Sequence, residues 1–317
     1  MNFFRHVHQR LAYKGALKKR RLRIKAESLA VIDQMVVSLG KKLPYLQSYR
    51  TELVPLIYRT GRYLDTMLDA IPGPAALDPN HWDKDPLIHS MFVSEKHTKE
   101  LIADSEPLQR FFQGSNSKIA FALLTAEKRE KTISGTEFVG EIVRRDVIQK
   151  AIFFEQLQIT MPTDELAKTR RQVKYQLFSD LFTQAAEKIS EIKAIKSELK
   201  TRHDVITAKM PLFINKEGQK EMDELHDALE KQIEEIGATL DSPDDYISPL
   251  KNLLLNPQIH ISAKPVVLKL NSMGILLSDN SKQEVKPILL AEFESNAGKK
   301  CVATWIRVEK ENVTQQF

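Results

Sequence analysis

Between Leu166 and Leu240 apolar residues recur at helical spacing, and this run constrains the fold more than any other feature of the chain. Leu166, Val173, Leu177, Leu181, Ala185, Ile189, Ile192, Leu199 and Ile206 share one stripe, which predicts a helix opened by Thr163 and reaching Lys209. The stretch "MPLFINKEG" breaks it. Met222, Leu225, Leu229, Ile233, Ile236 and Leu240 then step by three and four residues, a heptad-like seam. Residues 217–235 hold eight acids and two lysines, whereas 187–209 hold six bases and four acids. Two long helices of opposite charge balance joined by a short loop predict an antiparallel helical hairpin, a surface that also suits self-association.

The second constraint is charge. Residues 1–26 carry nine Lys and Arg and no acid; with the whole chain at +5, the remainder carries −4. The turn Lys18-Lys19-Arg20-Arg21 points charge in every direction, which a buried helix cannot tolerate, because each unpaired charge costs several kcal/mol. Arg10, Lys14, Lys18, Lys19, Arg20, Arg21, Arg23 and Lys25 are therefore the candidate anion- or partner-binding residues. Three occupants fit: the acidic hairpin of the same chain, an anionic polymer such as nucleic acid, or an anionic membrane surface with Phe3 and Phe4 at the tip. Tyr13 is the only ring among residues 5–44 apart from histidine, so nucleic acid would be held by charge rather than by stacking.

Elsewhere the pattern is mostly helical. A long N-terminal helix is expected to about Leu39, a second region over 44–70, and a loop over 71–86. Asp85–Pro86 reads as N-cap plus first residue of a helix to about Ala103, and Ser105-Glu106-Pro107 opens another helix. "SKIAFALLTAEKREK" reads as a buried helix, and "EFVGEIVRRDVIQK" as a helix capped by Thr136, while the following "AIFFEQLQI" fits helix or strand. After a last short helix in "SPDDYISPLKNLLLNP", the β-branched segments from Ile259 onward, separated by "NSKQE" and "NAG", predict an antiparallel meander of three or four strands. The expected architecture is mainly α with a small C-terminal antiparallel β-meander. It comprises a basic helix over 1–40, a helical body over 41–160, the hairpin over 161–241, and a short helix with the meander over 242–317.

In layout the chain resembles bacterial proteins of unassigned function, through "WDKDPLIHSMF", "GTEFVGEIVRRDV" and "LKLNSMGILL" followed by a hairpin. That resemblance implies a bacterial cytosolic origin and carries no activity.

No phosphate loop, dinucleotide fingerprint, nucleophile elbow or zincin motif is present. The lone Cys301 excludes an intramolecular disulfide, fits a reducing compartment, and sits among alternating apolar residues as a packed thiol. His81, His89 and His97 repeat every eight residues with Glu100 nearby, but His81 falls in the Pro-rich loop, so surface or capping roles are expected. Glu137, Glu141, Arg144, Arg145 and Asp146 form either a salt-bridged helix face or a dispersed acid–base site. Residues 1–26 share basicity with organellar transit peptides but are poor in Ser, and no apolar run approaches a membrane span. The expectation is a non-enzymatic, cytoplasmic interaction or scaffold protein without metal or cofactor, with a protein partner foremost and placement at the inner membrane face as a further option. The alternatives are a non-specific nucleic-acid or anionic-surface binder, and an enzyme with a dispersed site around Glu137–Asp146.

Overall fold

The computed structural model describes residues 22, 25–33, 49–139, 142–209, 216–237, 243–277, 285–295 and 300–314. The chain forms two compact units, neither of them a continuous segment: one of residues 1–62 and 176–257, the other of residues 63–175 and 258–317. The helices are α1 (Arg50–Asp69), α2 (Pro86–Met91), α3 (Glu95–Asp104), α4 (Glu106–Gly114), α5 (Leu166–Lys209), α6 (Lys216–Gly237), α7 (Pro243–Leu255), α8 (Pro257–His260) and α9 (Glu311–Thr314). The strands are β1 (Ala75–Ala76), β2 (Ile119–Val139), β3 (Ile142–Thr163), β4 (Ile261–Leu268), β5 (Ile288–Ser295) and β6 (Lys300–Glu309).

The second unit is built on one six-stranded sheet in the order β3-β2-β6-β5-β4, with β1 parallel to β6 and every other pair antiparallel. This corrects the mainly-α expectation with its small C-terminal meander. The meander β4-β5-β6 exists, but β6 is a central strand of a larger sheet whose two longest strands come from the presumed helical body. "SKIAFALLTAEKREK" and "EFVGEIVRRDVIQK" are both strands. Ala, Leu, Glu and Lys favour helices by tenths of a kcal/mol per residue, and pairing with β3 on one side and β6 on the other overrides that preference. The period-two signature is visible in burial: Ala120, Ala122, Leu124 and Ala126 all face the core.

One sheet face packs on α2, α3 and α4 through Ile88, Phe92, Ile102, Leu108 and Phe112 against Leu124, Ile306 and Val308. Trp305, fully buried, lies under the Arg170 guanidinium of α5, which also pairs with Asp69 at 2.9 Å. Thr169 donates to the Phe121 carbonyl at 2.9 Å. Where β5 stops pairing with β6, the 72–77 segment continues that edge: Trp305 N–H donates to Pro72 O, and Leu77 N–H to Arg307 O, both at 2.9 Å. Local capping follows the sequence at α2, where the Asp85 carboxylate accepts from Leu87 N–H at 2.8 Å, but the single helix expected to about Ala103 breaks after Met91, and Ser94 opens α3 by accepting from His97 N–H. At α5 the chain differs: Thr163 ends β3 and turns the chain, and the helix begins three residues later.

Three bulges interrupt the β2–β3 ladder, each with one extra residue on β3. Each extra loop of chain contains a non-glycine residue at positive φ: Asp146 (61°), Gln156 (52°) and Met161 (53°). Bulges increase the local twist of a strand pair. A turn after β4, held by Asn271 accepting from Met273 and Ile275 N–H, returns to β3, where Leu276 N–H donates to Lys150 O at 2.8 Å.

The first unit is helical. Val31 and Ile32 of the helical 25–33 segment are buried, as are Leu53 and Ile57 of α1, Phe178, Leu181, Phe182 and Ile189 of α5, and Ile247, Leu250 and Leu254 of α7. Thr60 donates to the Leu254 carbonyl at 2.7 Å, and Lys251 pairs with Glu52 at 2.8 Å. Helices α5 and α6 span the predicted hairpin segments and meet at His203 and His226, whose ring centroids are 4.6 Å apart. The seam differs by one position from the expected one. Leu229 is buried and Met222 and Ile233 are half-buried, but Leu225 is 48% exposed, and His226 takes its place.

Candidate functional site

The candidate basic residues Arg10, Lys14, Lys18, Lys19, Arg20, Arg21 and Arg23 lie outside the described residues. Lys25 is exposed at the start of the helical 25–33 segment, and Leu22 is 59% exposed.

The Glu137–Asp146 cluster falls on a feature that periodicity did not reveal. Pairing of β2 with β6 ends at Glu127–Cys301, but β2 and β3 stay paired to Val139–Ile142. A two-stranded arm, about 40 Å long at 3.3 Å per residue, therefore continues past the end of the β2–β6 pairing. The side chains of residues 137–144 lie outside the described residues; Arg145 and Asp146 are exposed. Thr132, Ser134, Ile148 and Lys150 line one exposed face, and Ile148 is 78% exposed. At the root of the arm Lys128 is held by Glu292 at 2.9 Å and Glu130 at 3.5 Å. Burial disfavours its charge, but the two carboxylates outweigh that and keep the ammonium above its ordinary range. The helical reading of 136–150 hid the arm; the β-branched "TISGTEFV" was the signal that could have shown it.

Five of the eight histidines separate into two sets. His81 pairs with Asp78 at 2.7 Å, His89 stacks on Trp82 at 5.0 Å, and His97 lies edge-on to Phe92, so these three do not converge. His203 and His226 do converge, across the α5–α6 seam and with Glu230 beside them, from positions 23 residues apart in the chain.

A cleft of about 820 Å³ opens between α3, α4 and the bulged middle of β3, with Glu100, Asp104, Glu106 and Glu155 giving it a negative rim. The Ser105 hydroxyl beside it is buried without a hydrogen-bond partner, and no base is joined to it. The Cys301 thiol is pushed up by burial, which disfavours the nucleophilic thiolate. Among the described residues no helix is long and apolar enough to cross a membrane. No family model, curated protein or solved structure matches the chain.

Proposed function

We propose that this chain is a non-enzymatic interaction protein that engages a protein partner through the β2–β3 arm. The observation that carries the reading is the arm itself. Among the described residues β2 pairs only with β3 from Lys128 onward, which leaves its other edge open there, and Ile148 stands exposed on the ribbon face. A two-stranded ribbon is marginal in water by itself, and an open edge offers unpaired N–H and C=O groups to an extended segment of a partner. Of the residues that would have formed a dispersed acid–base site, Glu137, Arg144, Arg145 and Asp146 lie on the two strands of this ribbon. A cytoplasmic setting fits the single thiol.

A second reading, non-specific binding to nucleic acid or to an anionic membrane face, is favoured by the nine positive charges of residues 1–26. The two readings are separable. Replacing residues 133–149 by Asn-Gly closes the ribbon at the Thr132–Lys150 pair with a two-residue turn. Proteins that co-purify with the full chain, the arm-shortened chain and a chain lacking residues 1–25 are then compared. Loss of the partner with the arm, at an unchanged melting temperature, supports the first reading. Retention of every partner by the arm-shortened chain, with loss on removing 1–25, replaces it with the second.

A further inference from the structure

We propose that His203, His226 and Glu230 form a site for one divalent transition-metal ion of the zinc class, which clips α5 to α6. This inference stands on the first unit alone and does not depend on the role of the arm. Heptad spacing places both histidines in the seam: Leu199, His203 and Ile206 step by four and three on α5, and His226, Leu229 and Ile233 by three and four on α6. Such positions normally carry apolar residues, and a polar residue there lowers stability unless it gains a partner. The His203 Nε2 atom is buried and has no hydrogen-bond partner. It points to Glu230, whose Oε1 is 4.0 Å away, too far for a hydrogen bond.

The donor set suits a metal. Ligand atoms of the two imidazoles and the carboxylate lie within 4.8 Å of one another. Bonds of about 2.0–2.1 Å in a tetrahedron place ligand atoms roughly 3.4 Å apart, so an adjustment of about 1 Å by three side chains closes the site. His226 and Glu230 are four residues apart on α6 and so share a face, while His203 reaches them from α5. Each histidine also has a carboxylate near its other nitrogen: Asp204 Oδ1 is 3.7 Å from His203 Nδ1, and Asp227 Oδ1 is 3.9 Å from His226 Nδ1. At these distances neither carboxylate is hydrogen-bonded to its imidazole, but both add negative potential for a cation. Two imidazoles select zinc-like ions over magnesium or calcium, which prefer oxygen ligands. Three protein ligands leave a fourth position for water.

The test uses the full-length, tag-free chain stripped of metal. Calorimetric titration with Zn²⁺, and Co²⁺ absorption as a second readout, should each give one ion per chain. His203→Ala and His226→Ala should each weaken binding at least about 100-fold, because each removes a direct ligand. Zn²⁺ should raise the melting temperature of the parent and not of the histidine variants. A His6→Ala/His8→Ala variant removes the other closely spaced histidines and should bind as the parent does. His203→Gln, similar in size and still polar, repeats the test if an alanine variant does not fold. Absence of one-to-one binding, survival of binding in His203→Gln, or its loss in the His6/His8 variant overturns the proposal.

Discussion

Gly73→Ala is the substitution to which the second unit should be most sensitive for its size. Gly73 has φ +111°, a conformation that L side chains rarely adopt. A Cβ there would lie 2.3 Å from the Trp305 carbonyl oxygen and 3.0 Å from the Trp305 Cβ. Neither neighbour can retreat: Trp305 lies in a central strand, fully buried, with its N–H bonded to Pro72 O. Backbone strain of about 1–3 kcal/mol plus displacement of the 72–77 segment gives a cost of about 3 kcal/mol. For a unit of about 170 residues that is a fall of roughly 6–12 °C in melting temperature. Both tryptophans of the chain, Trp82 and Trp305, belong to this unit, so thermal unfolding followed by tryptophan fluorescence reports on it alone. Gly114→Ala is the matched control: nothing lies within 4 Å of its added Cβ, at the end of α4, and it should be neutral or stabilising by up to about 1 kcal/mol. A Gly73→Ala protein melting within 2 °C of the parent would refute the proposed packing of the 72–77 segment on β6.

Leu229→Asp buries an unpaired charge in the α5–α6 seam and should cost more than about 2 kcal/mol, whereas Leu225→Asp, at a 48% exposed position, should cost under about 0.5 kcal/mol; equal shifts in urea midpoint would remove the observed register. The raised pKa of Lys128 means that its pairing with Glu292 and Glu130 contributes fully below about pH 10.5 and is lost as pH rises through the higher folded-state value. The stability gap between the parent and Lys128→Met, measured by urea unfolding, should therefore shrink from pH 8 to pH 11; a constant gap would contradict it. Residues 258–317 expressed alone should be unfolded or aggregated, because β6 loses β2 and the helices on both sheet faces, and a well-dispersed amide spectrum would show otherwise.

Local chemistry by itself determined the helix starts at Asp85 and Ser105, the C-terminal end of α5, the course of α6, and the three C-terminal strands. In each case the signal lies within a few residues: a cap, a 3.6-residue stripe long enough to be unambiguous, or β-branched runs between turn residues. Tertiary structure alone decided β2. Its apolar stretch at 119–126 is compatible with a buried helix or a buried strand, and what selects strand is a partner about 180 residues away, β6, which supplies hydrogen bonds along Ile119–Glu127. The arm follows from that choice, since once β2 and β3 pair, their ladder runs on beyond the body. The candidate site shows the same division. The heptad spacing of α6 was legible, but Leu225 and His226 are adjacent, and the rotation that turns one to solvent and the other into the seam is set by packing on α5. A three- or four-residue step places a residue on a face to within one position, and only the partner helix resolves which of two neighbours is inside.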